Sequence, residues 1–209
     1  MALIGLISDV HAAAGPVAEA LEIFRQAKVD QVWCAGDMAG YMDELPATIE
    51  LLREHCDQSI IGNHDLSYLD KTQSDMTDSS IEYLRHLGSS YEAVIDGKSL
   101  YMVHAQPPDG CHGGIKLLDR TGELIPSKIE YWQTQLKSFE HDVLIVGHTH
   151  QVYVEQIAGV LVINPGSTVF NHSCAILRLP EMTVELFALS GKKIQQTWNW
   201  GEHVIYGNS

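Results

Sequence analysis
Residues 143–150 read VLIVGHTH, four apolar side chains and a glycine followed by two histidines either side of a threonine. A short, continuously apolar run is the pattern of a buried strand, and this one stops at groups that bind cations or protons. The same arrangement recurs four more times. The run LIS leads to Asp9-Val10-His11, VWCA to Gly36-Asp37, SII to Gly62-Asn63-His64-Asp65, and LYMV to His104. Strands that lie side by side bring their ends to one sheet edge, so these remote positions can converge. The fold must then place five strand ends together.

The order of the remaining elements narrows that fold. LIGLIS reads as a strand, and residues 16–28 put Val17, Ala20, Leu21 and Phe24 on one helical face behind Pro16. QVWCA is a second strand, Leu45, Ile49 and Leu52 stripe a second helix, and QSIIG is a third strand. The patterns Ser79-x-x-Glu82 and Ser127-x-x-Glu130 predict two further helix starts through capping boxes. From residue 89 the pattern turns strand-rich: a hairpin is expected near Asp96-Gly97, then strands over QVYVEQIAGVLVI, CAILRLP and MTVELFAL. Parallel βαβ units thus precede a more antiparallel half. A mixed α/β fold of two facing sheets flanked by helices, a four-layer α-β-β-α sandwich, accommodates that order. Residues 105–126 read as a long irregular loop, of a length that often serves a site. No linker divides the chain, so residues 1–209 are expected to form one domain.

Composition excludes several classes of function. Apolar residues make up 45% and charged ones 19%, the profile of a globular chain rather than a disordered one. With 27 acidic against 13 basic residues and a net charge of −14, the surface repels nucleic-acid duplexes. An anionic substrate needs a local cation. No segment approaches the roughly 18 apolar residues of a membrane span, and the opening apolar run stops at Asp9 with no basic flank before it. Both observations point to the cytoplasm, where Cys34, Cys56, Cys111 and Cys174 are expected to be reduced and unpaired.

The strand ends together offer Asp9, His11, Asp37, Asn63, His104, His148 and His150. Seven oxygen and nitrogen donors are too many for one tetrahedral ion and suit two ions that share a carboxylate. Without thiolate, the set fits manganese, iron, nickel, cobalt or zinc. Side chains at i and i+2 of an extended segment point the same way, which predicts that Asp9 pairs with His11 and His148 with His150. The glycines before Asp37, Asn63 and His148 fit turns in which backbone comes close to an ion or ligand. His55, His86, His141, His172 and His203 have no such placement, while His112, beside two glycines in the long loop, is left unassigned.

Asp9-x-His11, Gly36-Asp37, Gly62-Asn63-His64-Asp65, His104 and Gly147-His148-x-His150, in that order, resemble the signature of the calcineurin-like metallophosphoesterase superfamily. Asn164-Pro165-Gly166-Ser167 resembles a turn of its small prokaryotic phosphodiesterase branch. The resemblance implies hydrolysis of small-molecule phosphate esters at a dinuclear centre. It implies Asp9, His11 and His150 on one divalent ion, Asn63, His104 and His148 on the other, and Asp37 between them. It also implies His64 as the catalytic group that protonates the leaving oxygen or stabilises the phosphoryl charge, with Asp65 orienting it. Two departures bear on the substrate. Gly36-Asp37 continues as MAGYM rather than into the Asp-Arg-Gly of the protein phosphatases, and Asp65 stands where those enzymes carry glutamate. Both favour a small-molecule phosphodiesterase or phosphatase over a protein phosphatase. Ala105 after His104 departs from a common glycine. The alternatives are a phosphomonoesterase or nucleotide pyrophosphohydrolase and, as in the small subunit of the retromer sorting complex, a non-catalytic metal-binding scaffold. The 105–126 loop and the Trp198/Trp200 segment are open to lining a pocket, packing the core or contacting a second copy in a homo-oligomer.

Overall fold
β1 (Ala2–Ile7) runs parallel to β2 (Gln31–Cys34), and β2 to β3 (Gln58–Ser59), with α1 (Ala14–Ala27) and α2 (Leu45–His55) as the crossovers. The structure, a computed structural model, describes residues 1–72 and 79–198. α1 buries Val17, Ala20 and Phe24, spaced so that they share one face, and stops where Lys28 turns left-handed at φ 56°. α2 buries Leu45, Ile49 and Leu52 as the stripe predicts. α3 (Asn63–Lys71) and α4 (Ser79–Arg85) follow β3, which is shorter than QSIIG suggests because Ile60 makes only an isolated bridge to Gly88.

The second sheet begins with β4 (Ser90–Ile95) and β5 (Lys98–Val103), an antiparallel hairpin. Its two-residue turn is Asp96-Gly97, both at positive φ (49° and 75°), the requirement of a type I′ turn. After α5 (Pro126–Gln135) come β6 (Val143–Ile145), β7 (Val152–Ile157) and β8 (Val160–Pro165). The chain then returns to the first sheet as β9 (Ser173–Leu179) and β10 (Thr183–Ala188). Strand orders are β10-β9-β1-β2-β3 and β4-β5-β6-β8-β7. The later half of the chain is the more antiparallel one, as expected, although β5, β6 and β8 run parallel at the centre of the second sheet, so the sheet is mixed. Contrary to the capping-box pattern, Ser127 does not cap a helix: α5 starts at Pro126, whose missing N–H suits the first turn, and no side chain caps it.

Three apolar clusters define the layers. Ile4, Leu6 and Trp33 of the first sheet meet Leu100, Met102, Val143, Ile145 and Ile163 of the second, which makes the two sheets face each other. On the outer face of the first sheet, Ile7 and Cys34 pack against Val17, Phe24, Ile49 and Leu84 from α1, α2 and α4. On the outer face of the second, Leu144, Val146 and Val162 pack against Trp132 of α5 and against Ile115, Leu117 and Leu118. The layer order is thus α-β-β-α. Each large side chain buried in this way contributes about 1.5–3 kcal/mol. The last three residues belong to the 105–126 stretch, so this loop is partly core rather than irregular. The four cysteines are free, and among the described residues no helix is long and apolar enough to cross a membrane.

Candidate functional site
The ends of β1, β2, β3, β5 and β6 meet along one edge where the two sheets face each other. Asp9, His11 and His150 gather into one group, and Asp37, His104 and His148 into a second, the donor atoms of each lying within 4.8 Å of one another. Asn63 joins the second group, with its Oδ1 2.8 Å from His148 Nδ1 and 3.1 Å from His104 Nε2. Within the first, His11 Nε2 and His150 Nε2 stand 3.0 Å apart, and His150 Nε2 is 3.3 Å from Asp9 Oδ1. All seven sequence-derived positions are therefore at this edge. Each group draws on both sheets.

Asp9 and His11 share one group, as expected. His148 and His150 fall into different groups, on backbone that is no longer extended. Asp9, His11, Asp37, His148 and His150 all have φ between 46° and 65°. Such left-handed non-glycine residues each cost on the order of 1–3 kcal/mol and persist where the surroundings hold them, most often at functional sites. Here the hold is visible. Asp9 N–H donates to Gly36 O (2.9 Å), His11 N–H to Asp37 O (3.0 Å), and His148 N–H to the Asp9 carboxylate (2.9 and 3.1 Å). The glycines make this closeness possible. A Cβ on Gly147 would stand 1.9 Å from Ser8 Oγ and 2.6 Å from Asp9 Oδ2, and one on Gly62 2.1 Å from Asp37 Oδ1.

The donors are prepared for cations. His104 Nδ1 lies 2.7 Å from Ala35 O and His11 Nδ1 3.2 Å from Ala39 O, so each ring donates that N–H to the backbone and turns Nε2 into the site. Burial pushes the His11 imidazole down to about 4 against the pull of Asp9 and Asp37. Burial, then the charge of His104, brings His148 to about 4, with Lys116 adding to the effect. These rings stay neutral and keep a lone pair to give. Burial would raise Asp9, but the hydrogen bond and charge of His150 hold its carboxyl well below the usual range. Asp37 is likewise raised by burial and lowered by more through His104, which in turn is pushed up to about 9 despite its burial. Without an ion His104 therefore carries a proton beside Asp37, which a bound cation would displace, while His11 and His148 are already neutral. Carboxylates, imidazoles and an amide oxygen that converge without a thiol fit hard or borderline divalent ions.

Asp65 is completely buried, but its carboxylate accepts from the amides of Ala39 (2.7 Å) and Gly62 (2.9 Å). It straps together the turns that carry Asp37 and Asn63 and does not orient the His64 ring, as the sequence suggested. His64 occupies the first turn of α3, where its backbone N–H donates to Asp37 Oδ1 at 2.8 Å. Its ring packs between Tyr41 (4.8 Å) and His11 (5.0 Å). His112 comes no nearer than 6.3 Å, ring to ring, to His148. His203 and Trp200 lie outside the described residues.

Several contributors are not legible as ligands. Asn164, fully buried at the end of β8, donates from Nδ2 to Gly147 O (2.9 Å) and Thr149 Oγ1 (3.0 Å), and its Oδ1 accepts from Gly166 N–H (2.9 Å). Ser167 donates its hydroxyl to Asp9 O at 2.6 Å. The turn over residues 164–167 thus braces two ligand-bearing turns. Phe170 stacks on Trp198 at 4.0 Å and on His150 at 5.4 Å, and Tyr41 meets His11 edge-on at 4.6 Å. A cavity of about 470 Å³ opens before the donor groups, lined among others by Tyr41, His64, Lys116, Arg120, His148 and Trp198.

Residues 2–180 match the family model described as the calcineurin-like phosphoesterase superfamily domain. The protein MJ0912 of Methanocaldococcus jannaschii is 23% identical over 186 residues, 78% of this chain and 69% of that one. The crystal structure of the hypothetical protein PH1004 of Pyrococcus horikoshii superposes with a TM-score of 0.71 at 17% identity, covering 94% of this chain and 90% of that one. A structure described as a novel archaeal phosphodiesterase gives a TM-score of 0.59 at 22% identity, covering 90% and 99%. These structures share the fold.

Proposed function
Because the chain belongs to the calcineurin-like phosphoesterase superfamily, we propose that it is a metal-dependent phosphodiesterase acting on small-molecule phosphate esters. In this reading residues 1–209 form one catalytic domain. Asp9, His11 and His150 hold one divalent transition-metal ion, Asn63, His104 and His148 hold a second, and Asp37 is shared. The observation that carries the proposal is the meeting of two donor groups, drawn from both sheets, at the wall of a cavity that also exposes His64. When bound, divalent cations supply an acidified water nucleophile and neutralise charge on the phosphoryl oxygens.

The chain's own residues do the rest. His64 sits at the N-terminal end of α3, where backbone N–H groups and the helix dipole favour an anion. Its ring lines the cavity and is positioned to hold a proton at a ring nitrogen and deliver it to the leaving oxygen. Tyr41 and Trp198 cover one part of the wall with aromatic surface, which excludes water from the reacting group. The diester preference rests on the chain that follows Asp37. Met38 and Ala39 are buried, and the next side chain at the cavity is Tyr41, a neutral group where a guanidinium would otherwise neutralise a monoester dianion.

Chelation should abolish hydrolysis and added manganese restore it. On a panel of diesters, monoesters and pyrophosphates, kcat/KM should be highest for diesters. A preference for monoesters or pyrophosphates would move the assignment to a phosphomonoesterase or pyrophosphohydrolase. Metal binding without turnover on any ester would make the chain a scaffold.

A further inference from the structure
The cationic side chains of the cavity are the feature that the phosphodiesterase reading leaves unused. Lys116 and Arg120 line the same cavity as His64 and His148, in a chain with twice as many acidic as basic residues. Both come from the 105–126 loop. Both side chains are exposed, but the backbone that carries them is fixed. Ile115 and Leu117, on either side of Lys116, are fully buried. The amides of Leu117 and Leu118 both donate to Gln151 Oε1 (2.8 and 3.1 Å), Gln151 Nε2 donates back to Leu118 O (2.8 Å), and the Tyr153 hydroxyl donates to Ile115 O (2.8 Å). Gly114, at φ 87°, lies so close to the His148 turn that a Cβ would stand 2.7 Å from Thr149 Cγ2 and 2.9 Å from His148 Cδ2.

Arg120 is held by a separate turn. Asp119 Oδ1 accepts from Thr121 N–H (2.8 Å), Thr121 Oγ1 (2.7 Å) and Glu123 N–H (3.0 Å), so that oxygen is committed to the turn. Thr197 Oγ1 donates to Arg120 O at 3.3 Å. Two cations on a rigid ledge, in a cavity large enough for a nucleotide-sized ligand, have the form of an anion site. The scissile diester group carries one charge and belongs at the two donor groups. A second charge on the substrate is what the ledge would serve.

We infer that Lys116 and Arg120 form an anion subsite beside the reaction centre, and that the substrate is a phosphodiester bearing a second phosphate away from the bond that is cleaved. This rests on the phosphodiesterase reading of the same site. The test uses the full chain loaded with manganese and two chromogenic diesters with the same bond to break, thymidine 5′-(p-nitrophenyl phosphate) and its 3′-phosphorylated counterpart. The 3′-phosphorylated ester should show about tenfold higher kcat/KM, mostly through KM, and added salt should shrink the gap. Lys116→Ala and Arg120→Ala together should lower kcat/KM on that ester about tenfold more than on the plain ester. Calorimetry on the metal-free protein should show thymidine 3′,5′-bisphosphate binding more tightly than thymidine 5′-phosphate, with the difference lost in the double variant. Equal rates for the two esters in the unaltered protein would overturn the subsite. So would equal losses on both esters in the variant, which would assign the pair to the scissile group. Hydrolysis of neither ester would remove the phosphodiesterase reading itself, and the subsite with it.

Discussion
Asn164 offers a direct test of how the candidate site is built, because it touches no donor group and yet supports the turn that carries His148 and His150. Its side chain makes three hydrogen bonds, to Gly147 O, Thr149 Oγ1 and Gly166 N–H, and it is completely buried. At about 1 kcal/mol for each neutral hydrogen bond, Asn164→Ala should cost about 3 kcal/mol. For a chain of this length that corresponds to a Tm lower by about 6–12 °C. Thermal unfolding should be followed with a chelator present, since bound ions would add stability by linkage. Asn164→Asp keeps the acceptor for Gly166 but sets a carboxylate against the Gly147 carbonyl, so it should be at least as destabilising. Manganese titration should then show weaker binding in both variants, because Gly147 leads directly into His148. A Tm for Asn164→Ala within about 2 °C of the unaltered protein would refute the bracing argument.

Three further outcomes follow from the site and its surroundings. Asp37→Asn should bind one ion per chain rather than two, and metal analysis that finds two at unchanged affinity removes the shared-ligand role. His64→Ala should keep its metal content and lose about 10²–10⁴ in kcat, the usual worth of general-acid help; an unchanged kcat on an ester with a poor leaving group would exclude proton donation. Away from the site, the Asp142 carboxyl is held below the usual carboxylate range chiefly by the Ser99 amide and then by its hydroxyl, both bonded to Oδ2 at 2.8 and 2.9 Å. A depressed folded-state pKa contributes stability above the unfolded value of about 4 that is lost as pH falls through the folded value. The Tm deficit of Asp142→Asn should therefore be present at pH 7 and shrink below pH 4; a deficit that is constant across that range would show that the charge plays no part.

Much of the architecture is legible in the sequence because burial leaves a periodic trace. The α1 stripe of Val17, Ala20 and Phe24, the turn at Asp96-Gly97 and the five apolar runs before polar strand ends all report local rules. Those rules stop where a strand stops. The pairing of side chains at i and i+2 holds for Asp9 and His11 and fails for His148 and His150, because all four lie on left-handed backbone, where the alternation of a pleat no longer decides where side chains point. Asp65 was assigned to its sequence neighbour His64, whereas its partners are amides at Ala39 and Gly62. Among the described residues α4 begins at Ser79, whereas the similar pattern at Ser127 loses to the proline just before it. Tyr41, Lys116 and Arg120 are not legible one by one for a different reason, although the loop that carries the two cations is open in the sequence to lining a pocket. A side chain in a loop has no periodicity; the places of Lys116 and Arg120 are set by the contacts of Gln151 and the turn at Asp119.

The origin of the two donor groups has a mechanical consequence. Asp9 and His11 follow β1 and His150 follows β6, while Asp37 follows β2 and His104 follows β5, so each cluster spans the seam between the two sheets. An ion seated there acts as a rivet through both plates. Loading the protein should slow amide hydrogen exchange at the ends of β1, β2, β5 and β6 together, as one cooperative edge, even though those strands belong to different sheets.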